Sequence, residues 1–155
     1  MNQNLSEIED KTSELYENDF YAWTVKQANF LRNRDWNNLD IPNLAEEIES
    51  LGKQDRRELR NRLRVLIGHL LKWEFQSDKR SKSWANTIDE QRFQILGLLQ
   101  ESPSLNPYLP DAISEVYKYA LKLAADETSL SKETFPQEYP YGLEQILDFD
   151  FFPGE

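Results

Sequence analysis

The chain has 155 residues, with 28 acidic against 18 basic side chains, one histidine, no cysteine and a formal charge of −10. This length suits a single domain that buries roughly two-thirds of its unfolded surface. The missing cysteines exclude a disulfide framework, thiolate metal sites and a thiol nucleophile, and His69 alone cannot make a two-histidine metal centre.

The opening residues, 1–13, are polar and acidic. They read as a loose segment and as neither a signal nor a transit peptide. No apolar run approaches the roughly 20 residues that a membrane span needs, so the expectation is a soluble, cytoplasmic protein. The 8 Phe, 7 Tyr and 4 Trp argue against disorder, and residues 14–155 are read as one folded domain.

Helical periodicity dominates from there. Between 14 and 34, Tyr16, Phe20, Trp23, Phe30 and Leu31 share one face at 3.6-residue spacing, with Gln27 among them. A polar turn around Trp36 follows, and Pro42 suits the first turn of the next helix, where its missing N–H costs nothing.

The second helix is long. Leu44, Ile48, Leu51, Leu59, Leu63, Leu66, Leu70 and Trp73 keep one angular phase through Gly52. A break would reset that phase, so the spacing predicts one helix over about 42–76, roughly 50 Å long at 1.5 Å per residue. A compact globule of this size has a radius of gyration of only about 15 Å, which predicts an elongated molecule.

A third helix is expected over about 83–101, with Trp84, Ile88, Ile95, Leu98 and Leu99 inward. Prolines at 103, 107 and 110 separate it from a fourth, marked by Ile113, Val116, Tyr117, Ala120 and Ala124. From about 134 the chain becomes an arm rich in aromatics and proline, with one short helix near 142–147. Too broken to have its own core, this arm must lie on the bundle, another copy or a partner. The fold class is therefore all-α: an elongated up-down bundle of four main helices, one of them long, with a wrapped C-terminal arm.

Charge is unevenly distributed. Residues 1–52 carry net −7, residues 53–82 net +6 and residues 83–155 net −9. Within the cationic stretch, Lys53, Arg56, Arg57, Arg60 and Arg64 fall within about 100° on a helical wheel. Arg56, Arg60 and Arg64, extended by Lys79, Arg80 and Lys82, form a candidate anion site, because guanidinium forks suit phosphates and carboxylates. The alternative, favoured by the acidity of the whole chain, is neutralisation by Glu46, Glu49 and carboxylates of the first and fourth helices.

The other flank of the long helix holds Glu47, Asp55, Glu58, Arg62 and His69. Glu47, Glu58 and His69 could together serve a metal enzyme, yet Glu58 and Arg62 more simply pair at i,i+4. No HExxH, EF-hand, GxSxG or phosphate-loop motif is present, so no catalytic residue, metal or cofactor is assigned. Phe149, Phe151 and Phe152 are the candidate interaction surface, because nothing in their own segment can cover them.

Several strings carry a resemblance. They are Tyr16 to Trp23, Asn43 to Gly52, Leu63 to Leu66 with His69 to Trp73, Arg80 to Trp84, and Tyr139 to Tyr141 with Leu143 to Leu147. Together, over about residues 14–152, they resemble an uncharacterised, mostly cyanobacterial family catalogued as domain of unknown function number 29. The resemblance implies a helical bundle in an intracellular bacterial protein and no activity, cofactor or catalytic residue. The family commonly carries Cys where this chain has Tyr139, so no role of that Cys transfers. The expected function is a small non-enzymatic interaction module, self-associating or bound to a protein partner. A regulator of anions or nucleic acid through the Arg row is the alternative, and a metal-dependent enzyme comes third.

Overall fold

The structure, a computed structural model, describes residues 11, 12 and 14–155. The proposed loose segment 1–13 lies almost wholly outside them. The fold is all-α, and no strand occurs among the described residues. The helices are α1 (Phe20–Arg32), α2 (Ile41–Phe75), α3 (Lys82–Glu101), α4 (Leu109–Thr128) and the short α5 (Leu143–Ile146), joined by short 3-10 turns.

The expected helix over 14–34 is interrupted. Residues 14–18 are helical, but Asp19 leaves helical geometry and caps α1, its carboxylate accepting from the Ala22 N–H at 3.1 Å. A short acidic side chain that can bond the backbone favours a cap over a helix interior. At the far end Arg34 turns left-handed at φ 55°, and the Asp35 and Arg34 N–H groups bond back to Phe30 and Leu31. This is the Schellman pattern that stops a helix.

The chain divides into two compact units, residues 1–53 and 54–155. In the first, α1 and the start of α2 are tied by Asp40. Its carboxylate accepts from Trp23 Nε1 (3.0 Å) and Asn43 Nδ2 (2.9 Å), while its N–H donates to Gln27 Oε1 (2.9 Å). Trp23 and Gln27 are the buried residues of α1. Tyr16 packs on Phe20 and Trp23 and donates its hydroxyl to Glu47.

In the second unit, Leu59, Leu63, Leu66, Ile67, Leu70 and Leu71 of α2 are fully buried with Ile88 and Ile95 of α3 and Ala112, Ala120 and Ala124 of α4. Close approach of α2 and α4 depends on Gly68. A Cβ there would lie 2.6 Å from Leu123 Cδ2 and 3.3 Å from the Ala120 carbonyl oxygen. Gly52 is different: α2 runs through it unbroken, and a Cβ would meet nothing within 4 Å.

The arm lies on this second core. Phe135, Tyr141 and Ile146 are buried. Aromatic contacts run from Tyr117 to Tyr139, Tyr141 and Phe151, while Phe152 packs on Trp73 with ring centroids 5.0 Å apart. Arg92 of α3 anchors the arm and is completely buried. Its Nε donates to the Ile146 carbonyl (3.0 Å) and its Nη2 to those of Gln145 (3.2 Å) and Phe151 (2.8 Å). Burial pushes the guanidinium pKa down, opposed by Asp89 and Asp148. Arg80 adds a second tie, from its Nη2 to the Pro153 carbonyl at 3.4 Å.

Two predictions follow from this packing. Replacing Arg92 by Met or Lys leaves the carbonyls without the planar fork. Denaturant unfolding should show a loss of about 3 kcal/mol, and limited proteolysis should open residues 142–155. Gly52→Ala should stabilise by about 1 kcal/mol through helix propensity, whereas Gly68→Ala should gain less than Gly52→Ala, because Leu123 and the Ala120 carbonyl must shift to admit the Cβ. Parallel thermal melts distinguish the two.

Candidate functional site

The Arg row is carried by α2 in the second unit, and its members have different partners. The Arg56 guanidinium lies over the Tyr108 ring, 4.4 Å from its centroid. Arg60 donates to the Tyr108 hydroxyl at 2.9 Å, and that hydroxyl donates to Glu115 of α4 at 2.8 Å. Arg60 and Glu115 are 3.8 Å apart. The fourth helix thus supplies a counter-ion, as one of the two sequence readings expected. Arg64 is half-buried, and makes no hydrogen bond or ion pair among the described residues.

Arg60 and Arg64 form one wall of a cleft of ≈ 840 Å³ between α2 and α4, with Glu115, Lys118 and Tyr119 opposite and Gln137 at one end. Arg64 also borders two neighbouring hollows. One contains Arg57, Arg62 and Gln91, the other Lys122, Asp126 and Glu127.

Lys79, Arg80 and Lys82 do not line this cleft. Lys79 is exposed in the turn after α2, and Lys82, at the start of α3, borders a separate shallow hollow with Glu90. Arg80 is a structural residue: its Nε donates to the Trp73 carbonyl at 2.8 Å, and its guanidinium lies 5.3 Å from the Trp73 ring.

The carboxylate flank is also dispersed among local partners. Glu47 accepts from Tyr16, which pushes the phenol pKa up to about 12, and Glu58 pairs with Arg62 at 3.0 Å. His69 shares a 2.8 Å hydrogen bond with the Val65 carbonyl through Nδ1. Among the described residues, no group of three or more His, Asp or Glu side chains is placed to hold a metal ion. None of their helices is long and apolar enough to cross a membrane.

Of the three terminal phenylalanines, Phe151 and Phe152 are half-buried against the second core, and Phe149 remains exposed. The larger exposed apolar surface is in the first unit. Ile48 and Leu51, read from sequence as part of the apolar stripe, are 67% and 62% exposed, and Ile41 at the start of the helix is 62% exposed. They continue the apolar stripe of Leu59, Leu63 and Leu66, but the buried residues of α1, Trp23 and Gln27, bond to Asp40, and the stripe is bare there. The spacing revealed the apolar face and not what covers it.

Residues 15–152 match the family described as "Domain of unknown function DUF29". The chain belongs to the DUF29 family. No curated protein and no solved structure matches it. This DUF29 member carries two features that sequence reasoning missed. Arg92 falls four residues after Ile88 and three before Ile95, within an apolar stripe, and that position was the available signal. Lys72, buried near the end of α2, pairs with Glu127 at 2.7 Å and lies over the Trp84 ring.

His69 sits beside this pair. Burial pushes its imidazole pKa below the ordinary value, as does Lys72, against the opposing Val65 carbonyl and Glu127. Its contribution is fully present above the unfolded value near 6.5. It is lost as pH falls towards the folded pKa, because the unfolded chain then binds the extra proton. Stability should fall as pH drops through the unfolded value near 6.5, with a slope of at most about 1.4 kcal/mol per pH unit. His69→Asn, which retains a donor towards Val65, should flatten that slope in a pH series of thermal melts.

Proposed function

We propose that this DUF29 protein is a non-enzymatic helical interaction module that self-associates through the first half of α2. The observation that supports this reading is the bare continuation of the core stripe. Ile41, Leu44, Ile48 and Leu51 span an arc of about 80° at 3.6 residues per turn. Three of them are largely exposed.

The spacing of 3, 4 and 3 residues is that of a helix–helix seam. Burying each such side chain contributes roughly 1.5–3 kcal/mol. A second copy suits this seam because Ala45, which borders it, is small and uncharged, while Glu46 and Glu49 lie further round the helix. The net −7 of residues 1–52 opposes association at long range, so the dimer is expected to be weak and to strengthen as salt screens that repulsion. The cysteine-free, acidic composition supports a cytoplasmic location for the module.

Sedimentation velocity across a concentration series tests the reading. The wild type should show a monomer–dimer equilibrium that shifts towards dimer with added salt, and Ile48→Glu or Leu51→Glu should hold it monomeric with unchanged helicity. A wild type that stays monomeric at every concentration and salt, or dimers that survive both substitutions, would overturn the proposal.

A further inference from the structure

The geometry points to a second function, independent of self-association: the cleft between α2 and α4 binds a small phosphate dianion through Arg64 and Lys118. Three cations, Arg60, Arg64 and Lys118, line it against one carboxylate, Glu115. Glu115 is already engaged by the Tyr108 hydroxyl and faces Arg60, which leaves two cationic groups for a ligand.

Arg64 is the decisive residue. It is half-buried, and no described residue bonds or pairs with it. A chain with ten more carboxylates than cations could readily have supplied a counter-ion. The carboxylates of the two neighbouring hollows that Arg64 borders, Glu58, Asp126 and Glu127, are paired with Arg62, Lys122 and Lys72. The planar fork of Arg64 can therefore meet a doubly charged oxyanion in bidentate fashion. Lys118 stands on the opposite wall as a mobile point charge, its ammonium 4.9 Å from the Tyr119 ring. Asn61 and Gln137 bring side-chain amides able to donate to further phosphate oxygens.

The same charge distribution selects a small ligand over a nucleic acid. Beyond the cationic stretch the chain is strongly acidic, net −7 over 1–52 and net −9 over 83–155. That acidity disfavours a polyanion, whose binding depends on neutralising many successive phosphates. A single phosphate group, free or as a monoester on a small organic molecule, fits within ≈ 840 Å³.

Nitrogen-15 correlation spectra, including arginine Nε–H signals, test this at constant ionic strength with inorganic phosphate, adenosine monophosphate and chloride. Phosphate up to about 10 mM, a range that detects millimolar binding, should produce saturable shifts at the Arg64 Nε–H and the backbone of residues 117–119. Stronger binding of the monophosphate identifies an organic monoester as the preferred form, and equal binding identifies free phosphate. Arg64→Gln should weaken binding by at least about tenfold, as expected for a lost hydrogen bond to a charged group. Lys118→Gln, on an exposed side chain, provides a second test should the first variant fold poorly. Lys79→Gln, outside the cleft, should leave binding unchanged. The proposal is overturned by an absence of saturable shifts, by shifts that chloride reproduces, by undiminished binding in the Arg64 and Lys118 variants, or by tighter binding of a single-stranded oligonucleotide at the same salt.

Discussion

The buried fork of Arg92 is the constraint on which the C-terminal quarter of the molecule depends. The arm beyond α4 contains Pro136, Pro140 and Pro153 and one helix of four residues, so few of its backbone groups pair with one another. Carbonyls facing the core need donors from elsewhere, because an unpaired buried carbonyl carries most of its desolvation cost. Arg92 meets three of them from one planar group, which the single ammonium of a lysine would not match. The cost of burying a cation is offset by those carbonyls and by the fields of Asp89 and Asp148. With the backbone held at residues 145, 146 and 151, Tyr141, Phe151 and Phe152 are positioned to close over Trp73 and Tyr139.

The cationic segment of the chain therefore has no single role. Arg80 serves carbonyl groups of the polypeptide itself, those of Trp73 and Pro153. Arg56 and Arg60 are held by Tyr108, one through its ring and one through its hydroxyl. Lys72 is buried against Glu127 and Trp84. In the Arg56, Arg60 and Arg64 row, Arg64 has neither a carbonyl nor an aromatic nor a carboxylate partner among the described residues. Net charge summed along the chain locates the segment, but which cation is available to a ligand depends on partners from α4 and the arm, 40 or more residues away in sequence.

The degree to which the sequence was readable follows the same division. Helices whose apolar residues recur at 3.6 spacing were legible, including the continuity of α2 through Gly52, because phase is a local property. The interruption at Asp19 was legible in principle, since Asp followed by an aromatic run is an N-cap signal, but the aromatic stripe spanning it suggested one helix. Arg92 was not recognised because a charged residue within an apolar stripe implies a partner, and that partner is a set of backbone carbonyls with no side-chain signature. In the same way, the Phe151 and Phe152 positions depend on Trp73 and Arg92, which the local sequence of the arm cannot reveal.

The two halves of α2 make the physical point most directly. Leu59, Leu63, Leu66 and Leu70 are fully buried, whereas Ile41, Ile48 and Leu51, in the same phase on the same helix, are mostly exposed. Both halves are helical and carry apolar residues at 3- and 4-residue spacing, so helical periodicity alone does not account for the difference. In 54–75 the stripe faces α3 and α4; in 41–53 the paired helix α1 is held to one side by Asp40, through polar bonds to Trp23, Gln27 and Asn43. Those bonds have fixed directions and tie α1 to the start of α2. The apolar stripe is covered where α3 and α4 pack on it and bare beside the polar ties of Asp40.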